Sequence, residues 1–143
     1  MHVEGAEIAT IGRGILALLG VERGDTDAEA DRLAEKIATY RIFPDAAGKM
    51  NLSLRDAPGE LLAVPQFTLV ADTSSGTRPS FSTGASPEQG KRLFERFLLT
   101  SKAKAGRFGA YMQVSLENDG PVTFWLRVAP KEIRGQSPIS GDA

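Results

Sequence analysis

A proline stands inside the most strand-like segment of the chain. Residues 60–72 read ELLAVPQFTLVAD, an apolar run that is typical of a long, buried β-strand. Pro65 has no N–H to donate to a neighbouring strand, so a central strand does not contain it without an interruption. In one interpretation Pro65 is merely tolerated at a sheet edge or a bulge, and Phe67 and Leu69 point into the core.

The other interpretation is chemical. If the proline ends the ladder, the backbone N–H groups of Phe67 and Thr68 are left to face a ligand. Backbone donors of this kind stabilise the negatively charged oxygen of an acyl-transfer intermediate. The Gln66 amide and the Thr68 hydroxyl stand beside them. The segment is therefore a candidate catalytic site, and the pattern alone leaves both interpretations open.

The residue types that the chain lacks narrow its chemistry. It has no cysteine, which excludes disulfides, thiolate catalysis and thiolate metal sites. Its one histidine, His2, lies at the start of the sequence, where we expect the chain to be mobile. That leaves no residue for a Ser-His-Asp triad or a histidine-rich metal site. An enzyme built on this chain must take its base from a carboxylate, a lysine, a backbone group or the substrate, and we expect no metal and no cofactor.

The charge of the chain bears on its partners and its location. The net charge is −1, so attraction to nucleic acid over the whole surface is weak and contact depends on a local patch. Arg78 and the basic residues Lys91, Arg92 and Arg96 are typical of a solvated face, although they could also contact phosphates. No apolar run approaches the roughly 18 residues that a membrane span needs, and the N-terminus lacks a signal-peptide pattern. We expect a cytoplasmic protein.

Two segments carry strong helix signals. Thr26 and Glu29 have the spacing of a capping box. Ser86 is a natural N-cap with Pro87 at the first helical position, and Gln89 can close a second capping box. The buried faces are predicted to consist of Leu33, Ala34, Ile37 and Tyr40 in the first helix and Leu93, Phe94, Phe97 and Leu98 in the second.

The remaining apolar segments predict strands in the order ββ-α-ββ-α-ββ. The strands are expected on either side of Gly12–Gly14, near Ile42, at Met50–Leu54, at residues 60–72, and within residues 106–128 around a turn at Asn118–Gly120. We predict a single α+β domain, a curved, barrel-like β-roll with two helices packed on it. This domain is expected to span residues 1–128, and residues 129–143 to form a flexible tail.

Two further segments have both a structural and a functional interpretation. Residues 118–123 read NDGPVT, in which Asp-Gly indicates a hairpin. A cis Gly120–Pro121 bond, an isomer found at roughly 5% of X–Pro bonds, would instead make a rigid pair of carbonyl acceptors. Phe108 and Met112 stand on one side of a predicted strand. They are typical of a core, and also of an apolar slot for a nucleobase.

These segments together resemble the D-aminoacyl-tRNA deacylase family, also called D-tyrosyl-tRNA deacylases. The family carries a Ser-Gln-Phe-Thr-Leu motif and an Asn-x-Gly-Pro-Val-Thr motif. They stand here as PQFTL at residues 65–69 and NDGPVT at residues 118–123. The stretches GILALLGVERGDT, GKMNLSL, RPSF and GRFGA follow in the family's order. The similarity covers residues 3–127, and two rare motifs in order make it specific.

The resemblance implies an activity. These enzymes hydrolyse the ester between a D-amino acid, or glycine, and the terminal adenosine of a mischarged tRNA, and they reject L-aminoacyl-tRNA. They are homodimers with active sites at the subunit interface. Carried over, Gly120 and Pro121 would enter the partner's site, hold the substrate amino group and leave no room for an L side chain. Gln66, Phe67 and Thr68 would be the catalytic residues around the ester.

The resemblance also implies an adenine pocket lined by Phe108 and Met112. The family leans on the 2′-hydroxyl of the terminal ribose for catalysis, whereas an older proposal makes the threonine, here Thr68, a nucleophile. We favour the substrate-assisted route because no base evident in the sequence stands beside Thr68 to activate it.

Two features depart from the family pattern. Pro65 replaces the usual serine, so any role of that hydroxyl is lost. The family begins earlier, with a basic strand whose arginine orients the Gly-Pro dipeptide, whereas this sequence starts at Met1. We therefore expect a truncated first strand and an unpaired sheet edge. The alternative function is a catalytically impaired, RNA-binding relative, and a third is a generic small-molecule hydrolase on the same fold.

Overall fold

A three-stranded parallel sheet with two helices on one side organises the structure, a computed structural model that describes residues 1–130. The strands are β1 (His2–Val3), β2 (Ala6–Glu7), β3 (Gly14–Leu19), β4 (Phe43–Pro44), β5 (Met50–Leu52), β6 (Glu60–Pro65) and β7 (Lys104–Ala105). The helices are α1 (Asp27–Thr39) and α2 (Pro87–Ser101), and Phe67–Val70 form a 3₁₀ turn. The central sheet has the order β3-β6-β7, and β1–β2 and β4–β5 are antiparallel pairs.

The central strand β6 is buried on both faces. Leu61 and Ala63 face the helices and Leu62 and Val64 face the opposite side, because successive side chains of a strand alternate. The helix side is filled by Ala34, Ile37, Phe94 and Phe97, and the other side by Met1 with Ile8, Ile11 and Leu16. Burial on both faces explains why this strand is apolar without interruption.

Both helices begin where the capping patterns predict. The backbone N–H of Thr26 donates to a carboxylate oxygen of Glu29 at 2.6 Å. The Ser86 hydroxyl accepts from the backbone N–H three residues later at 3.2 Å, and Pro87 is the first helical residue. Hydrogen bonding from Thr26 also lowers the pKa of Glu29, so this carboxylate is charged in its capping position.

The side chain of Gln89 differs from its prediction. Its Nε2 donates to the backbone carbonyls of Arg23 and Asp25 at 3.0 and 2.9 Å. Gln89 therefore does not close a capping box. It fixes the loop that follows β3 to the start of α2, because two unpaired loop carbonyls lie within its reach.

Ion pairs join the two helices. Arg92 lies 2.7 Å from Asp27, and Arg96 donates two hydrogen bonds to Asp31 at 2.9 and 2.7 Å. The Thr100 hydroxyl donates to the same carboxylate at 2.7 Å. Hydrogen bonding from Arg96, and then from Thr100, lowers the pKa of Asp31 from 3.8 to about 2. Two of the α2 cations considered for phosphate contact are thus engaged with α1.

Two strand predictions are wrong. Residues 60–72 do not form one long strand, because β6 ends at Pro65 and the chain turns into the 3₁₀ turn. Residues 106–128 contain no strand in the described structure, where a single isolated bridge joins Gln113 to His2. A strand needs a neighbouring backbone along its length. Within residues 1–130 this segment pairs with one at that bridge and at Gly106, whose N–H donates to the Ala63 carbonyl at 2.8 Å.

The fold class is confirmed as a small α+β domain with two helices on a mixed set of sheets. The described part of the chain holds three sheets of two or three strands and no closed barrel. Of the predicted tail, residues 131–143 lie outside the described residues. Neither helix within residues 1–130 is long and apolar enough to cross a membrane.

The first residues of the chain are held by the domain, so the predicted mobility of His2 is wrong. Its N–H donates to the Gln113 carbonyl at 2.9 Å, and the Gln113 N–H returns a bond of 2.9 Å to the His2 carbonyl. The side chain of Met1 is buried against β6, and its amino group donates to the Ala9 carbonyl at 3.1 Å. Backbone pairing and burial together order this end of the described structure.

Candidate active site

The candidate catalytic segment begins where β6 ends. Pro65 lies opposite Leu19 at the last position of the parallel ladder, and the Gln66 N–H donates to the Leu19 carbonyl at 2.7 Å. The chain then enters the 3₁₀ turn, whose first N–H groups have no carbonyl in a preceding turn to bind. Within residues 1–130 the N–H groups of Phe67 and Thr68 have no acceptor. Two adjacent backbone donors are therefore free for a ligand.

The side chains of the 3₁₀ turn are open to solvent. Phe67 is 68% exposed and Leu69 is 42% exposed, so the interpretation that both point into the core is wrong. The Gln66 amide donates to the Thr68 hydroxyl. No lysine, histidine or carboxylate of the described chain hydrogen-bonds to that hydroxyl, so no described side chain is placed to remove its proton.

The RPSF segment lies against the catalytic turn. The Phe81 ring packs on the Phe67 ring with 5.2 Å between centroids. Asp72 and Ser80 close the intervening loop by exchanging backbone hydrogen bonds of 2.7 and 2.9 Å. Hydrogen bonds from Ser74 lower the pKa of Asp72, so the first carboxylate after the turn is charged. The contact between Phe81 and Phe67 could not be predicted from the sequence, because an irregular loop has no periodicity that pairs its residues.

One asparagine closes the loop at residues 118–123. The Asn118 side-chain oxygen accepts the Val122 N–H at 2.9 Å, and its NH₂ donates to the Thr123 hydroxyl at 2.7 Å. The Gly120–Pro121 bond is cis, as predicted. Gly120 has a φ of 140°, and a Cβ there would lie 2.6 Å from Cγ2 of Val122. This position therefore requires glycine.

The two motifs do not meet within one chain. In the part of the chain that the structure describes, no hydrogen bond, ion pair or ring contact joins residues 118–123 to residues 66–68. Gly120 and Pro121 are exposed, as are Phe67 and Thr68. One chain thus presents the two motifs as two separate surfaces.

Phe108 and Met112 lie on opposite faces of the central sheet. The Phe108 ring is 6.3 Å from the Phe94 ring on the helix side, whereas Met112 packs with Met1 on the other side. Gly109, with a φ of 77°, redirects the chain between them. The prediction that they share one side of a strand is therefore wrong, because a turn replaces the strand.

The cations near the site differ in their pairing. Arg78, in the loop that precedes Phe81, is exposed and has no carboxylate partner within residues 1–130, and the same holds for Lys91 on α2. Arg92 and Arg96 are paired across the two helices. Of the four cations that we considered for phosphate contact, Arg78 and Lys91 are therefore the two without a carboxylate partner in the described structure.

Comparison with known proteins assigns the family. The profile of the family described as D-Tyr-tRNA(Tyr) deacylase matches residues 1–127. The chain belongs to this family. A D-aminoacyl-tRNA deacylase from Ralstonia nicotianae is 56% identical, with 94% of this chain and 87% of the relative covered. One from Cupriavidus necator is 57% identical, with 90% of each chain covered.

The fold of this deacylase family member also matches a solved structure. The structure, titled c-Myc DNA Unwinding Element Binding Protein, superposes with a TM-score of 0.80 at 40% identity. The match covers 85% of this chain and 86% of the other. The resemblance that the PQFTL and NDGPVT motifs suggested is thereby confirmed at the level of the family.

Proposed function

We propose that the protein is a tRNA-editing esterase that hydrolyses the ester bond of D-aminoacyl-tRNA and rejects L-aminoacyl-tRNA. The family match over residues 1–127 supports this activity, as do relatives above 50% identity that carry the name. Glycyl-tRNA mischarged on tRNA-Ala is a second substrate, because glycine has no side chain for the site to reject. Aminoacylated tRNA is found in the cytoplasm, and we place the reaction there.

The free N–H groups of Phe67 and Thr68 are the observation that carries the mechanism. Attack of water on the ester carbonyl places negative charge on its oxygen. Two adjacent donors without an acceptor in the described structure are suited to bind that oxygen, because they give up no other hydrogen bond to do so. A donor in this role contributes on the order of 10²- to 10³-fold in rate.

The base in our mechanism comes from the substrate. The Thr68 hydroxyl accepts from the Gln66 amide and has no described basic partner, so it remains a weak nucleophile. The 2′-hydroxyl of the terminal ribose lies next to the scissile ester: it takes a proton from the attacking water as it passes its own proton to the neighbouring ribose oxygen, which leaves when the ester C–O bond breaks. Gln66 and Thr68 then position the ester.

We propose that the active form is a homodimer in which Gly120 and Pro121 enter the site of the other subunit. The two motifs make no described contact within one chain, which supports a site shared between two. Large apolar side chains near the loop are also exposed, as expected of an interface. They are Tyr111, Leu116, Phe124 and Trp125.

The dimer also explains selectivity and the missing strands. The carbonyls of Gly120 and Pro121 hold the substrate α-amino group, and the bulk of the dipeptide excludes an L side chain, so that the site selects D substrates by rejecting L substrates.

A second subunit gives residues 106–128 the neighbouring backbone that one chain lacks. We propose that this pairing completes the predicted barrel-like roll.

The tRNA end is held by few contacts in this proposal. Arg78 contacts a phosphate of the acceptor end, because among the cations of residues 1–130 without a carboxylate partner it is the nearest in sequence to Phe81. Phe108 and Met112 are the adenine contacts that the family resemblance implies. Since they lie on opposite faces of the sheet, one adenine reaches one of them, and separate alanine substitutions identify which.

Deacylation of D-Tyr-tRNA, L-Tyr-tRNA and Gly-tRNA tests the proposed function. We expect the D and glycyl esters to be hydrolysed and the L ester to persist. Equal rates on the D and L esters would overturn the sorting of chirality. No turnover by a folded dimer that still binds tRNA would favour the alternative, a catalytically impaired, RNA-binding relative.

A further inference from the structure

An ion pair fastens the segment that carries Gly120 and Pro121 to the body of the domain. Nε and Nη2 of Arg127 donate to the two carboxylate oxygens of Glu22 at 2.7 and 2.9 Å. Two parallel hydrogen bonds from a guanidinium group to a carboxylate fix the relative orientation of the two side chains as well as the distance between them. The Arg127 and Glu22 side chains are 46% and 33% exposed, so solvent screens the pair in part. The hydrogen bond from Arg127 lowers the pKa of Glu22, which is therefore charged at neutral pH.

The Glu22 end of this pair is connected to the catalytic turn. Glu22 forms a backbone bridge with Gly84, and the N–H of Arg23 donates to the Thr83 carbonyl at 3.2 Å. The Thr83 hydroxyl donates to the carbonyl of Val70, the last residue of the 3₁₀ turn, at 2.5 Å. Hydrogen bonds therefore join the Glu22–Arg23 segment, through Thr83, to the last residue of the 3₁₀ turn.

The Arg127 end lies just beyond the loop. Between Gln113, bridged to His2, and residue 127, no hydrogen bond of the described structure joins this segment to the rest of the domain. The Phe124 ring packs 5.8 Å from the Tyr40 ring, and the Arg127 ion pair follows. On its C-terminal side the loop is thus held by this ring contact, by Leu126 packed against the helix-side core, by the Arg127 ion pair, and by a hydrogen bond of 3.2 Å from Arg32 to the Ala129 carbonyl.

We propose that Glu22 and Arg127 are positioning residues that fix the Gly120–Pro121 loop to the body of its own domain, from which it reaches the site of the other subunit, and that they thereby set the discrimination between D- and L-aminoacyl esters. The inference rests on the proposed function, since it assigns the loop to the rejection of L substrates. Rejection depends on where the loop stands, because a group displaced by about 1 Å no longer blocks the space that it was built to fill.

The test is the ratio of kcat/KM on D-Tyr-tRNA to kcat/KM on L-Tyr-tRNA. For Glu22→Gln and Arg127→Gln we expect this ratio to fall about tenfold, with the dimer and the circular dichroism spectrum retained. Arg127→Lys keeps the positive charge but cannot form the two parallel hydrogen bonds, so the D-to-L ratio should fall less than in Arg127→Gln. The exchange of both charges, Glu22→Arg with Arg127→Glu, should bring the ratio back to within about threefold of the wild type.

A second forked ion pair supplies the matched control. Arg55 donates to the two oxygens of Glu35 at 2.9 and 2.6 Å, and this pair touches neither motif. Glu35→Gln should leave the D-to-L ratio unchanged. An unchanged ratio in both Glu22→Gln and Arg127→Gln would overturn the inference while the proposed function stands. A wild-type protein that does not distinguish D from L would instead overturn the proposed function.

Discussion

The two family motifs stand on parts of the molecule that are built in opposite ways. The first follows β6, which pairs with strands on both sides and holds Ala63 and Val64 at 0% and 2% exposure. The second lies in residues 106–130, which contain no strand in the described structure and pair with the backbone of the domain at Gly106 and at the bridge between Gln113 and His2. A single chain therefore supplies one half of the site at the end of a buried strand and the other half on a segment without a strand, which side-chain contacts and two short backbone pairings hold.

The difference between the halves has a chemical consequence. The donors of Phe67 and Thr68 must be fixed before the substrate arrives, because donors that reorganise during the reaction lose much of their effect. The Gly120–Pro121 half has a different task in our proposal, since it excludes a side chain and belongs to the other subunit's site. Its position then depends on attachments such as the Glu22–Arg127 pair.

The same substitution in each half should have very different effects on stability. Leu62 is 6% exposed in the sheet, so Leu62→Ala should lower the free energy of unfolding by about 2–5 kcal/mol. Leu116 is 62% exposed, so Leu116→Ala should change it by less than about 0.5 kcal/mol in protein dilute enough to be monomeric. Urea denaturation at several protein concentrations measures both. A larger loss for Leu116→Ala in dilute protein would contradict the comparison.

The loop glycine should matter for activity more than for stability. Gly120→Ala places a methyl group 2.6 Å from Val122 at a φ of 140°, which displaces the loop. We expect kcat/KM on D-Tyr-tRNA to fall about 10- to 100-fold, as strain of about 1–3 kcal/mol gives. Gly48→Ala is the control, since Gly48 also has a positive φ but lies in the β4–β5 turn. Similar losses of activity in both variants would contradict a specific role of the loop.

The Thr68 hydroxyl should be replaceable. Thr68→Ala removes one side-chain hydrogen bond to Gln66 but keeps the backbone N–H. If the 2′-hydroxyl assists the reaction, kcat on D-Tyr-tRNA should fall by no more than about tenfold. Single-turnover kinetics with saturating enzyme measure this directly. Complete loss of activity with tRNA binding intact would identify Thr68 as the nucleophile instead.

We expect the smallest effect from a substitution in the helices that pack on the central sheet. The pKa of Asp31 is about 2, lowered from 3.8, so its contribution to stability is full above pH 3.8 and disappears as the pH falls towards 2. We expect Asp31→Asn to lower the midpoint of thermal unfolding by a constant amount between pH 5 and 7. The difference from the wild type should shrink below pH 3.8. A difference that grows in acid would contradict the assignment.

The sequence predicted best what depends on local signals. The helices begin at the Thr26 and Ser86 caps because capping is decided within a few residues. The end of β6 was anticipated by Pro65 as one of two interpretations. The two motifs predicted the family, and the second motif also led us to expect the cis bond between Gly120 and Pro121.

What the sequence could not predict depends on contacts between distant residues. Phe108 and Met112 were assigned to one side of a strand, which fails because residues 106–128 lack a neighbouring backbone in the described chain. The Phe67–Phe81 contact and the Glu22–Arg127 pair join residues of unrelated segments. A pattern read along the chain carries no information about such pairs.

In our mechanism the end of β6 frees the Phe67 N–H to stabilise the reacting oxygen. Phe67 is the first residue of the 3₁₀ turn, where proline is tolerated, and Gln66 before it lies outside the α-helical region that a following proline disfavours, with a φ of −139° and a ψ of 82°. Phe67→Ala and Phe67→Pro both remove the ring, but Phe67→Pro alone also removes the N–H. We predict that kcat/KM on D-Tyr-tRNA is about 10²- to 10³-fold lower for Phe67→Pro than for Phe67→Ala. Equal values for two folded variants would contradict the account.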